Sequence, residues 1–326
     1  MSPRIGLVLG AGGVLGSSWM AGALHALQAR VDCPLGELDL VLGTSAGAVL
    51  GAALRCGVSV GELIDHQAGT PVNRLPDMRT VERESGDGFP PIPLPWIGSP
   101  RLLVRAVAAP CSMNPVVAAT SLLPVGRVRM DSLVRLVDAL QARLGVTEDR
   151  WVPGSPLWVV AVDYDSGRRT VFGRAGGPPS SVAEAVLASC AIPGWFTPRV
   201  VGGRRYVDGG VASSTSVGLL ARDSAPPLDE VYVLAPLASH SYDTPLDPVA
   251  TAERWVRRVI TRWLDGEVAR VRATGTRVTV ITPGPADLHA MGGNLMNPRR
   301  RRAVLERSLE TSSATVREAL DGRAAA

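Results

Sequence analysis

The sequence predicts an α/β fold in which a central, mostly parallel sheet lies between layers of helices. Two observations carry that prediction. Short, wholly apolar runs recur along the chain and alternate with longer stretches of helical period, as strands buried on both faces do. The first two runs also pass through glycine-containing turns straight into helices, which is how a doubly covered parallel sheet begins.

The elements follow in order. Ile5 to Leu9 is an apolar run closed by Gly10 and reads as the first strand. Ser17 to Arg30 carries Trp19, Met20, Ala23, Leu24 and Leu27 at helical spacing. Leu38 to Leu42 is a second buried strand, and Ala46 to Leu54, small and apolar throughout, suits a helix packed closely on the sheet. From about residue 70 to 125 periodicity is lost and proline accumulates (Pro90, Pro91, Pro93, Pro95). That length exceeds an ordinary connection and predicts a lid or an irregular insertion. Strands resume at Leu157 to Val162 and Arg169 to Phe172. Ser181 and Glu184 form a capping box for a helix to Ser189, stopped by Pro193 and Gly194. A strand pair is expected over Arg199 to Val207, turning through Gly202 and Gly203. Glu230 to Leu234 and Arg277 to Ile281 are further strands, with a helix from Pro248 to Arg272 between them and a last helix over about 299–320. No repeat or linker divides residues 1–326, so one domain is expected.

Composition narrows the chemistry. With 46% hydrophobic and 20% charged residues the chain is globular, and with 4% aromatics its core must be mostly Val, Leu and Ala. Every basic residue is Arg, which removes Schiff-base and P-loop lysine mechanisms. A net charge of +4 suits an anionic membrane surface but is too diffuse to indicate nucleic acid. The one dense cluster, Arg299 to Arg302, reads as a solvated helix start. Cys33, Cys56, Cys111 and Cys190 show neither metal spacing nor a disulfide framework, and they read as small residues in a reducing compartment. The apolar run after Arg4 is too short to span a membrane and lacks a cleavage pattern, so cytoplasmic residence is expected.

Three motifs carry chemistry. Gly43-Thr44-Ser45-Ala46-Gly47 lies between a buried strand and a small-residue helix. A serine at such a turn exposes its hydroxyl at the sheet edge, and the helix N-terminus behind it favours a developing negative charge. Gly10-Ala11-Gly12-Gly13-Val14-Leu15-Gly16 follows the first strand, and its glycines let backbone N–H groups converge on one anion. The rival reading, a dinucleotide site, needs Gly-x-Gly-x-x-Gly and a later acidic residue. Here Leu15 stands where the third glycine belongs, and the second strand leads to Ser45 instead of a carboxylate. Asp208-Gly209-Gly210 follows a strand; alone it is a plain turn, but beside the other two it offers a carboxylate to the serine.

In this order the three motifs resemble those of the patatin-like phospholipase family. Ala188-Ser189-Cys190-Ala191-Ile192-Pro193-Gly194, just before the aspartate motif, is similar to the family's Ala-Ser-x-x-Ile-Pro run. The likeness extends to about residue 220, and less surely to Met296-Asn297-Pro298. The resemblance implies a three-layer α/β/α fold and a metal-free, cofactor-free lipid acyl hydrolase. Ser45 would be the nucleophile, Asp208 the base, and the N–H groups of Gly12, Gly13 and Val14 the oxyanion hole. Gly10, Gly16, Gly43, Gly47, Gly209 and Gly210 would support the motifs. Three departures stand out: Leu15 where the family often has Arg or Lys, and Ser214 and Ser216 where Asn and Pro are more usual.

A dyad requires Asp208 to be buried within reach of Ser45, because an exposed aspartate is a weak base. The competing reading is an α/β-hydrolase triad with His289, which follows a late strand. Its other reading is a surface loop. His25 is expected to pack within its helix, and His66 and His240 show no useful context. An inactive lipid-binding or regulatory protein also stays open. The implied partner is a phospholipid, lysophospholipid or glyceride, with peripheral membrane contact open. Ile92 to Val107, with Trp96, Leu102, Leu103 and Val104, is the lid candidate. The 248–272 helix has Trp255, Val259, Ile260 and Trp263 on one face and Arg254, Arg257, Arg258 and Arg262 on others, and that apolar face is expected to pack on the core.

Overall fold

The computed structural model describes residues 3–73, 75–76, 97–109, 113–145, 151–154, 156–222 and 225–324. The expected features at Pro90, Pro91, Pro93, Pro95, Trp96 and Cys111 lie outside the described residues. Eight strands form one sheet: β1 (Ile5–Leu9), β2 (Leu40–Thr44), β3 (Leu157–Asp163), β4 (Arg169–Phe172), β5 (Arg199–Val201), β6 (Arg204–Asp208), β7 (Glu230–Leu234) and β8 (Arg277–Ile281). Their order is β5-β6-β3-β2-β1-β7-β8, with β4 also paired to β3. The run β3-β2-β1-β7-β8 is parallel, whereas β4 and β6 lie antiparallel to β3.

Alternate residues of the central strands feed two cores, as the pleat dictates. Leu7, Leu9 and Val41 face one side, where α1 (Gly13–Gln28), α2 (Ala46–Arg55), α3 (Val60–Ala68) and the long C-terminal helix gather. Val8, Leu40 and Leu42 face the other, against the helix at Pro248–Arg272. Both faces are covered, and this is why the strands are apolar end to end. The fold is the expected three-layer α/β/α arrangement.

The remaining helices are α4 (Pro100–Ala108), α5 (Pro115–Thr120), α6 (Asp131–Arg143), α7 (Val182–Ser189), α8 (Pro248–Arg272), α9 (Pro285–Met291) and α10 (Arg301–Ala324). The Ser181/Glu184 capping box of α7 forms as expected, and a second one, Ser59/Glu62, opens α3. Two helices stand inside the stretch expected to be irregular. Ser99-Pro100 and Asn114-Pro115 supply N-caps followed by proline in the first turn, a position where the missing N–H costs nothing. Proline there starts helices instead of breaking structure. α1 begins at Gly13, inside the glycine loop, and not at Ser17.

The largest departure concerns α8, which is turned the opposite way. Trp255 and Trp263 are 67% and 45% exposed, while Arg254 and Arg257 are 2% and 1% exposed. The inward guanidiniums reach four backbone carbonyls. Arg257 donates to the carbonyls of Pro236 and Ala238, and Arg254 to those of Leu288 and Gly292. Glu253 and Asp243 neutralise both. Buried charge is tolerated when it is paired and fully hydrogen-bonded.

Candidate active site

Ser45 sits where β2 hands over to α2. Its φ of 54° and ψ of −120° place it in a region that side-chain-bearing residues avoid. That strain is the mark of a serine lifted clear of the sheet edge. A Cβ on Gly47 would stand 2.0 Å from the Leu9 carbonyl oxygen, and one on Gly43 would stand 2.5 Å from that of Gly47. Only glycine at both positions lets α2 close on the sheet.

The topology brings Asp208 to the same point. Within β3, Val160 pairs with Thr44 and Val171, while Ala161 pairs with Asp208 and Thr170. Because β4 occupies one edge of β3 through both residues, β2 and β6 share the other edge and meet end to end. Thr44 and Asp208 therefore face successive residues of β3. A Cβ on Gly209 would stand 2.4 Å from the Val160 carbonyl oxygen, so the turn after Asp208 also needs glycine.

The result is a direct contact: Ser45 Oγ donates to Asp208 Oδ2 at 2.6 Å. The other carboxylate oxygen accepts from Gly210 N at 2.7 Å. Ser189 Oγ accepts from Ser45 N at 2.8 Å and donates to the Val160 carbonyl at 2.6 Å, which pins the strained turn to β3. Both Ser45 and Asp208 are buried. Burial pushes the Asp208 carboxyl up to about 6, with the hydrogen bonds from Ser45 and Gly210 opposing it.

The glycine loop closes over this pair. Gly10 N, Ala11 N and Leu15 N donate to the carbonyls of Leu234, Ser214 and Leu295, and Gly16 N donates to Gly12 O. Gly47 N reaches back to Gly10 O at 3.1 Å. Among the described residues, the N–H groups of Gly12, Gly13 and Val14 donate to no protein acceptor, and neither does that of Ala46. Gly13, at φ +60°, turns the loop into α1. Gly13, Val14, Ala46 and Ser45 all line one cavity of about 180 Å³, whose far wall is apolar: Val49, Leu63, Leu133, Leu136, Leu140 and Phe196.

A family model, that of the patatin-like phospholipases, matches residues 7–221. The chain belongs to this family. Among its relatives are uncharacterized NTE family proteins of Mycobacterium tuberculosis (strain ATCC 25618 / H37Rv) and Mycobacterium bovis, each 27% identical over 261 residues and covering 79% of this chain. The chain spans 56% of the length of those relatives. Among solved structures, VipD from Legionella pneumophila is 15% identical with a TM-score of 0.47, covering 99% of this chain and 67% of VipD. The type III effector ExoU is 14% identical with a TM-score of 0.34, covering 97% of this chain and 53% of its own.

Among the described residues, the hydrogen bonds of the Ser45–Asp208 pair involve no imidazole. His289 lies exposed on α9, and Asp208 accepts from Ser45 and Gly210. His25 is exposed on α1, not packed as expected. His66, without context in the sequence, lines the cavity, and its Nε2 lies 3.1 Å from the Pro76 carbonyl oxygen. At the three departures from the family pattern, Leu15 is wholly buried and Ser214 O holds Ala11 N. Ser216 has φ 56°, which proline could not adopt.

The motifs contain Ser189 and Ala46 but do not show their parts: the Ser189 hydroxyl pins the turn to β3, and Ala46 offers its N–H. Cys190 lines the cavity with its thiol pushed well up by burial and by the Asp208 charge, which makes it a poor nucleophile. Three of the wall leucines, Leu133, Leu136 and Leu140, come from α6, where with Val137 they carry a helical period in the sequence. Among the described residues, no group of three or more His, Cys, Asp or Glu could hold a metal ion. No described helix is long and apolar enough to cross a membrane.

Proposed function

We propose that this member of the patatin-like phospholipases hydrolyses lipid carboxylic esters with Ser45 as nucleophile and Asp208 as the sole side-chain base. The observation that carries the reading is the 2.6 Å bond from Ser45 Oγ to a buried carboxylate. Asp208, raised to about 6, is ionised at neutral pH yet basic enough to take a proton. Ser45 Oγ attacks the ester carbonyl carbon as its proton passes to Asp208 Oδ2. The oxyanion forms against the N–H groups of Gly12, Gly13 and Val14, with Ala46 N–H as a further donor. Collapse expels the alcohol, which takes the proton from Asp208 and leaves an acyl-Ser45 ester. Water then attacks with Asp208 again as base, releasing the carboxylic acid.

The apolar wall supports a lipid acyl group as substrate, since each buried methylene is worth about 0.8 kcal/mol. Leu75 also lines the cavity. The test is covalent labelling by a fluorophosphonate probe together with turnover of p-nitrophenyl esters. Labelling confined to Ser45, lost in Ser45→Ala, supports the reading. A folded protein with an unlabelled Ser45 and no turnover is instead the inactive lipid-binding form.

A further inference from the structure

The outward face of α8 has no cover among the described residues. Trp255, Val256, Val259, Ile260 and Trp263 share it, as does exposed Val249 in the first turn, and the chain leading in adds Leu246, fully exposed. Across a groove stands Val116 of α5, and the groove floor is Gly210 to Ser214, the turn that follows Asp208. A second groove, beside α4, shares Asn114, Arg169 and Ala212 with the first, so the surface continues onto α4. There Val104 and Val107 are exposed as well.

Arginines outnumber acids along this face. Arg105, Arg168, Arg262 and Arg270 border the two grooves. The acids nearby are already engaged: Asp165 by Arg205, Glu267 by Arg169 and Ser213, Asp265 by His240. Among the described residues, Arg105, Arg168 and Arg262 have no carboxylate partner. Half a turn of α8 would hide the tryptophans, but it would pull Arg254 and Arg257 from four backbone carbonyls. The aromatic rings therefore stay outside, framed by cations.

We propose that the α4–α5–α8 face docks the protein on an anionic phospholipid surface. Trp255 and Trp263 enter the headgroup boundary, and Arg105, Arg168 and Arg262 meet lipid phosphates. Tryptophan, with an apolar body and a polar N–H, and arginine, with a phosphate-matching fork, are the side chains this boundary favours. The inference rests on the lipid-ester reading, and the turn that follows Asp208 forms part of this face.

The experiment is co-sedimentation of full-length Ser45→Ala protein, in which no turnover intervenes, with phosphatidylcholine vesicles and with mixed phosphatidylcholine/phosphatidylglycerol vesicles. Binding to the mixed vesicles is expected to exceed binding to the neutral ones and to weaken with salt. Adding Trp255→Ser and Trp263→Ser should weaken it at least about tenfold. Arg105→Gln and Arg262→Gln should each cost about fivefold, or about 1 kcal/mol. In the Ser45 background, the same surface substitutions should leave hydrolysis of a soluble short-chain ester unchanged. Equal binding by the double tryptophan variant would overturn the proposal. So would a dimer in solution that the tryptophan substitutions dissociate, because a second copy would then be the occupant. Vesicle binding by a protein whose Ser45 rejects the fluorophosphonate would sink the hydrolase reading and leave the docking surface standing.

Discussion

Asp208→Asn should slow the protein and stabilise it at once. The carboxyl moves from an ordinary value of 3.8 to about 6 on folding, chiefly through burial. A gap of about two units corresponds to about 3 kcal/mol of differential interaction. The sign follows from the direction. Because the folded value is the higher one, the stability this group contributes is present below its unfolded value and is lost as pH rises through about 6. Above that, the fold holds a carboxylate less well than water does. Asparagine keeps the shape, can still accept from Gly210 N, and has no charge to desolvate. The unfolding free energy of the variant should exceed that of wild type by under about 1 kcal/mol near pH 4 and by about 3 kcal/mol near pH 8. Urea denaturation followed by circular dichroism across that range measures it. A pH-independent difference, or a variant less stable than wild type near pH 8, would refute the claim that the site keeps a costly buried base.

Turnover should vanish in Ser45→Ala and fall about a hundred- to ten-thousand-fold in Asp208→Asn, whereas His289→Ala stays within about twofold of wild type; p-nitrophenyl ester assays decide, and collapse on losing His289 would reverse the assignment. For wild type, kcat/KM should rise with pH to a plateau with its midpoint near 6, as Asp208 loses its proton. A flat profile across that region would mean that Asp208 is not the base. Along an ester series, kcat/KM should climb about fourfold per added methylene, about 0.8 kcal/mol each, until the cavity is full. Leu136→Trp on the cavity wall should move the best chain length downwards, and an unmoved optimum would place the acyl group elsewhere.

The strands and the site motifs were legible because both depend on local sequence. A strand covered on both faces must be apolar throughout, so β1, β7 and β8 stand out at their observed bounds. Ser45 and Asp208 are legible because a strained turn and a tight turn need glycine neighbours. What brings the two together is not local. It depends on β2 and β6 meeting end to end along one edge of β3, with Ser189 bridging from α7. The helices α4 and α5 were hidden for another reason. Proline has opposite meanings at a helix start and in a helix interior, and only the cap geometry tells them apart.

The orientation of α8 teaches the sharper lesson, since hydrophobic pattern and hydrogen-bond accounting point in opposite directions there. Pattern places Trp255 and Trp263 inside. Yet the segment after β7 and the end of α9 bring carbonyls at 236, 238, 288 and 292 to the inner face of α8, and among the described residues only that of Leu288 also accepts a backbone N–H, from Gly292. An unmet buried carbonyl costs about 1–3 kcal/mol, so long, many-armed donors belong there. The benefit reaches the site. Pro236, gripped by Arg257, packs on the glycine loop so closely that a Cβ on Gly12 would lie 2.7 Å from its ring. The segment held by Arg254 at Leu288 and Gly292 runs on to Leu295, whose carbonyl accepts Leu15 N at 3.0 Å. An oxyanion hole made of main-chain N–H groups stabilises charge only if that backbone stays still as charge develops. This chain, with leucine at position 15, holds its loop through neighbours that two buried arginines fix in place.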